Sequence, residues 1–359
     1  MVAPSKVFEP PFNRFHCASI IHSLPHHGCT QDYIWNIYRN HLCCYKYYLP
    51  LLLGPLLLHC YQLNRKRVWA IVRNYLETTS VSAIINATTY YLMCIFRRLN
   101  GRFVWAFTPF MSSTLATTLI WLASPKTVQY YTNGVMHASV ETMLRQLDLV
   151  VVHSQAARTL VFMLCSALVL CWHQAYGFSN FWFIKPAKLP QDYHERSLQQ
   201  RLIDGLLELR MYLGVGLGLD LLSTMMSRKT KKIDLKTTRF VVSYMGMYKL
   251  LQCLLIDKMN LKHTNLIAAF LSGSVFWFVK KIPLAIMSYG VVAASQVLWK
   301  QFCALDASKS QLLAALQCIP WTKLLIPPSL AYLVHSNVFQ REIMNELAKS
   351  FIDKTCENK

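Results

Sequence analysis

Charge is what this sequence has least of. Asp, Glu, Lys and Arg make up 15% of its 359 residues, where an ordinary soluble domain carries about a quarter. Together with 54% hydrophobic residues and a mean hydropathy of +0.27, that shortage argues against a water-soluble globular domain and for a chain that crosses a bilayer several times. Acidic residues are scarcer still, 17 against 37 Lys and Arg, which leaves a formal charge of +20. A nucleic-acid partner would gather that excess on one basic face. Here the cations stand in short stretches between apolar runs, as the positive-inside rule places them beside spans. No nucleic acid is therefore expected, and the lipid bilayer with its anionic head groups supplies the counter-charges.

Catalytic patterns are missing as well. The chain has no Ser-His-acid arrangement, no His-Glu-x-x-His and no paired carboxylates in a pocket-like context, so no enzyme is expected. Gly214, Gly216 and Gly218 lie in an apolar stretch with no flanking strand or lysine, which removes them as a phosphate cradle. No Cys-x-x-Cys knuckle occurs among the 12 cysteines. Cys94, Cys165, Cys171 and Cys253 sit inside apolar runs, where cysteine behaves as a small hydrophobe. Residues 1–46 lack the continuous apolar core and Ala-x-Ala site of a secretory signal, so reduced thiols facing the cytosol are expected.

What the chain does contain is an order of landmarks that can be read twice. Cys94 is followed by Arg97, Arg98 and Arg102, then by Phe110-Met111-Ser112, Tyr131, Glu141 and Arg145. Cys253 is followed by Lys258 and Lys262, then by Phe270-Leu271-Ser272, Tyr289, Gln296 and Lys300. Offsets of roughly 155 to 160 residues hold across five landmarks, the mark of an internal duplication. The expected fold is an all-α polytopic membrane protein with two tandem repeats. Its divisions are a Cys/His-rich head (1–46), a first repeat (47–177), a polar linker with an amphipathic helix (178–205), a second repeat (206–336) and a tail (337–359).

Pro10, Pro11 and Pro25 argue against a long helix in the head. Expected spans include 81–96, 105–123 with Trp105 and Trp121 as interfacial anchors, and 156–172. The basic loops Arg65-Lys66-Arg67 and Arg228 to Lys232 occupy equivalent places, so both face one side. That requires an even number of crossings between them, hence four spans plus one re-entrant or interfacial segment per repeat, about eight in all.

Two groups of residues carry candidate chemistry. Cys17, His26 and Cys29, with further Cys and His in the head, supply enough thiolate and imidazole for a tetrahedral zinc site. The competing reading is a packed or lipidated head, with Cys43 and Cys44 as palmitoylation sites. Glu141 and Arg145 stand four apart on one helical face and neutralise each other, and Gln296 and Lys300 repeat the spacing. They serve either as a polar path through the bundle or as a packing device.

The order Cys17, Pro25-His26, Cys29, Arg65-Lys66-Arg67, Asn86, Cys94-Ile95-Phe96-Arg97-Arg98, Gly101-Arg102-Phe103, Glu141-Thr142 and Arg145 resembles the transmembrane protein 135 family. Phe270-Leu271-Ser272-Gly273 and the segment through Tyr289 continue the likeness. It covers most of the chain. This sequence departs from the family pattern in carrying Gln296 where an acid stands and in a shorter, less charged linker. The resemblance implies a multi-pass protein of peroxisomal and mitochondrial membranes that acts on the fission and fusion balance, with the dynamin-related fission machinery as partner, and on peroxisome organisation and lipid metabolism. The alternative function is a transporter or channel for a lipid or metabolite.

Overall fold

A computed structural model of the chain describes residues 9, 12–23, 26–58, 64–104, 107–226, 235–278, 284–305 and 311–355. Arg228 to Lys232 and Trp105 fall outside them. Among the described residues every regular element is helical, which is the all-α class. The principal helices are α1 (Cys29–Tyr47), α2 (Arg65–Asn100), α3 (Thr108–Thr117), α4 (His137–Gln146), α5 (Gln155–Tyr176), α6 (Leu198–Met226), α7 (Lys236–Leu255), α8 (Leu261–Ser272), α9 (Leu284–Cys303), α10 (Trp321–Phe339) and α11 (Glu346–Thr355).

Local chemistry sets several of these bounds. The head does hold a long helix, because Pro10, Pro11 and Pro25 all precede Cys29 and leave α1 free to run for 19 residues. Asn64 accepts from the Arg67 amide at 2.8 Å and caps α2. Arg65-Lys66-Arg67 and Arg73 are thus the opening turns of a 36-residue helix and not a loop, in keeping with the good helix propensity of Arg and Lys. At about 1.5 Å per residue it is roughly 54 Å long. Gly101, with φ +67°, stops it in the left-handed conformation. The expected amphipathic linker helix and the next apolar segment are likewise one helix, α6. Among the described residues two helices, α2 and α5, are long and apolar enough to cross a membrane.

The chain forms two compact units, Met1–Gln146 with Cys318–Lys359, and Leu147–Gln317. In the first, α1 packs on α2, α2 on α3, α3 on α10, and α10 on α4 and the π-helical turn Thr132–Met136 that precedes it. In the second, α6 packs on α7, α7 on α8, α8 on α5, and α5 on α9. The contact order is the same, but the units divide the chain differently from the segments 47–177 and 206–336. Helix α5 packs within the second unit and α10 within the first.

The core of the first unit gathers Ile85, Ala116, Ile120, Tyr131, Ile326 and Leu330. Pro327 lies inside α10 and has no N–H to give the Lys323 carbonyl. The Trp121 indole supplies the donor, Nε1 to that oxygen at 2.9 Å. The second unit is centred on Phe162, whose ring lies 5.7 Å from Trp182, 5.6 Å from Tyr244 and 5.1 Å from Phe276. Phe178, Trp182 and Ile184 are buried, so this part of the polar linker is packed into the second unit, to which it belongs.

Glycine lets backbones meet at two places. A Cβ on Gly216 would lie 2.7 Å from the Thr238 Cα, and one on Gly273 would lie 2.7 Å from the Met163 Cα. Of the three glycines of α6, Gly216 is the one at a close helix approach, the usual use of small residues between helices in lipid, while Gly214 and Gly218 have no neighbour within 4 Å of a Cβ.

Candidate metal centre

The head folds back onto the end of α2. Ser23 is held to α1, its amide donating to Asp32 at 2.9 Å and its hydroxyl to Asn36 at 2.7 Å. Arg97 donates to the carbonyls of Arg14 at 2.8 Å and Phe15 at 3.0 Å. The Phe103 amide donates to the Asn13 carbonyl at 2.8 Å. These bonds bring a short helix, Cys17–Ile20, against Cys94 and Phe103 in a small apolar cluster with Ile20, Ile21 and Cys29.

Within that cluster the side chains of Cys17, His22, Cys29 and Cys94 converge, all four donor atoms lying within 4.8 Å of one another. The Cys17 and Cys29 sulfurs are 3.6 Å apart, and the Cys94 sulfur is 3.5 Å from His22 Nε2. His22 Nδ1 lies 2.9 Å from the His27 carbonyl, which fixes the ring and assigns the proton to Nδ1. Burial, and after it the adjacent Cys17 thiol, push the Cys29 thiol above its ordinary value. Of the sequence candidates, Cys17 and Cys29 are brought together, whereas His26 is exposed and outside the group. His22 takes its place, and Cys94 enters from 65 positions beyond Cys29. The clue to Cys94 in the sequence is its place just before Arg97 and Arg98, the basic end of α2 on which the head docks.

The polar pairs have become anchors. Arg145 donates to Glu141 at 2.7 Å, and Glu141 is 2% exposed. Its other oxygen accepts from the Asn345 side chain, and the Asn345 amide donates to Thr142 at 3.2 Å. Gln296 and Lys300 hold a different segment: Gln296 accepts from Asn180 at 2.5 Å, and the Lys300 ammonium sits 5.7 Å from the centre of the Phe178 ring. A further pair escaped the sequence reading. Lys249 on α7 meets Glu208 on α6 at 2.6 Å, both largely buried. The charges stand far apart in sequence, and only the packing of α6 on α7 joins them.

The end of α7 matches the end of α2 in place but differs in chemistry. Cys253, the landmark set beside Cys94 in the sequence, has the Tyr193 hydroxyl at 3.4 Å as its partner. Beside it Arg201 grips Asp257 with both terminal nitrogens, each at 2.8 Å. Compared with known proteins, the chain matches no family model, no curated protein and no solved structure.

Proposed function

We propose that this chain is a multi-pass organelle membrane protein that regulates the balance of mitochondrial fission and fusion, peroxisome organisation and lipid metabolism from peroxisomal or mitochondrial membranes. It is built from two copies of a five-helix repeat, α1 to α5 and α6 to α10, whose fifth helices have changed places. The likeness to the transmembrane protein 135 family is the ground for the organelle and the process. One observation supports that ground: the residues that carry the likeness meet in space. Cys17 and Cys29 reach Cys94, and Arg97 binds the carbonyls at the start of the head.

The multi-pass placement is supported by an inverted distribution of side chains. Thr79, Ser82, Ser112, Ser113 and Thr117 of the first unit are buried, as are Lys249, Gln252 and Ser272 of the second. Leu206, Leu207, Met211 and Leu213 are exposed along α6, as are Leu160 and Leu164 on α5. Polar groups inside and leucines outside suit a hydrocarbon surround, not water. The head is the part through which contacts with the dynamin-related fission machinery are made, and anionic head groups attract the Arg65-Lys66-Arg67 end of α2.

The test is removal of the chain followed by re-expression of a tagged copy. Mitochondrial length and peroxisome number should change on removal and return on re-expression, with the tag in one or both membranes. A chain in neither membrane, or organelles unmoved by its loss, refutes the reading.

One feature favours carriage of a lipid or metabolite as a second reading. The first unit holds a largely apolar cavity of about 110 Å³ lined by Tyr47, Tyr48, Val135, Ala138, Leu333 and Phe351, beside the π-helical turn. Liposomes containing the protein should move a fluorescent phospholipid between leaflets, and Ala138→Phe should stop that movement.

A further inference from the structure

We infer that Cys17, His22, Cys29 and Cys94 form a structural zinc site that clasps the head onto the end of α2. A tetrahedral zinc ion binds sulfur at about 2.3 Å and imidazole nitrogen at about 2.0–2.1 Å, so the sulfur to sulfur edge is near 3.8 Å and the sulfur to nitrogen edge near 3.6 Å. Two opposite edges of the cluster already have those lengths, 3.6 Å between Cys17 and Cys29 and 3.5 Å between Cys94 and His22. The remaining separations are at most 4.8 Å.

The surroundings suit the ion as well as the spacing does. A metal-bound histidine donates its other ring N–H to a carbonyl or carboxylate, which turns the free nitrogen to the metal. His22 makes that bond to the His27 carbonyl through Nδ1, which leaves Nε2 facing the sulfurs. Three thiolates and one imidazole form a closed four-ligand set, the composition of structural zinc sites, with no position left for substrate. A surface pocket of about 250 Å³ lined by Cys29, Cys94, Tyr91 and Arg98 gives access for the ion.

The second unit explains what the site is for. At the end of α7 the segment before α6 is held by Tyr193 on Cys253, and Arg201 in the first turn of α6 pairs with Asp257 while donating to the His194 carbonyl of that segment. Among the described residues the end of α2 has no such ion pair and has the Cys and His side chains in its stead. One copy holds its leading segment with an ion pair and the other with a metal.

The test uses the full chain purified in detergent without chelators. Elemental analysis should find one zinc per chain. Cobalt exchanged into the protein should give sulfur-to-cobalt charge-transfer absorption and the strong visible bands of tetrahedral cobalt. Cys94→Ser or His22→Gln should weaken zinc retention by more than the roughly 10–100-fold that loss of an outer-shell partner causes. Cys43→Ser and His26→Ala should leave it unchanged. The inference is overturned if the wild-type chain, folded by circular dichroism, holds no stoichiometric metal, if its cobalt form lacks the thiolate band, or if peptide mapping finds Cys17 and Cys29 joined as a disulfide. The cobalt spectrum is read on wild-type protein, so a ligand variant that fails to fold does not remove the test.

Discussion

Asn345, which follows α10, donates its side-chain amide to the carboxylate of Glu141 on α4. Asn180, which follows α5, donates in the same way to Gln296 on α9. In each unit an asparagine just past the fifth helix is tied to a residue of the fourth. One tie is to a charged group and the other is neutral, which gives them unequal weight.

Replacing Asn345 by Leu therefore removes a donor from a buried carboxylate, at a cost of about 1–3 kcal/mol. Asn180→Leu breaks a bond between neutral amides, worth about 0.5–1.5 kcal/mol. Thermal unfolding in detergent should rank the first variant below the second, and equal midpoints would contradict the assignment.

Lys249 and Glu208 form a buried pair, so losing one partner strands the other. Lys249→Met should destabilise the second unit by about 3–5 kcal/mol, whereas Lys249→Met with Glu208→Met should recover most of that loss. A double-mutant cycle followed by tryptophan fluorescence measures this, and an additive double variant would show the pair is not coupled.

Gly273→Ala puts a methyl 2.7 Å from the Met163 backbone and must push α5 and α8 apart, a strain of about 1–3 kcal/mol. Gly214→Ala meets nothing within 4 Å and should gain up to about 1 kcal/mol in helix propensity. Opposite shifts in melting temperature are the expected result.

The Arg201 guanidinium beside Asp257 holds its carboxyl below the usual carboxylate range. A lowered folded value means the pair stabilises above the ordinary carboxylate pKa of about 3.9 and loses that effect as pH falls through the lowered value. Wild type should exceed Asp257→Asn in stability at neutral pH and converge with it in strong acid. A gap that persists at every pH would place the effect elsewhere.

The helical class was legible because it rests on composition, and Cys17 and Cys29 were legible as a converging pair because residue type and spacing mark them. Helix α2 was harder to delimit, since Arg65 to Arg67 look like a loop on a charge plot while their propensity and the Asn64 cap favour helix. His22 and His26 differ in nothing a spacing rule sees. The choice between them depends on a turn that presents His22 to the His27 carbonyl. Cys94 looks in sequence like one more small apolar residue of α2, and only the docking of the head on that end of the helix distinguishes it. That α5 packs within the second unit and α10 within the first, an exchange relative to chain order, has no signature in sequence, because periodicity shows which face a helix buries and not which helix covers it.

That exchange decides the timetable of assembly. Residues up to Gln146 emerge from the ribosome without the helix that completes their packing, and it is not made until synthesis has passed Cys318. At 5–20 residues per second the wait is on the order of ten to thirty seconds. Meanwhile Leu147–Gln317 already holds all its helices. The middle of the chain is thus the first part able to close, and the opening segment cannot complete its packing until α10 has been made.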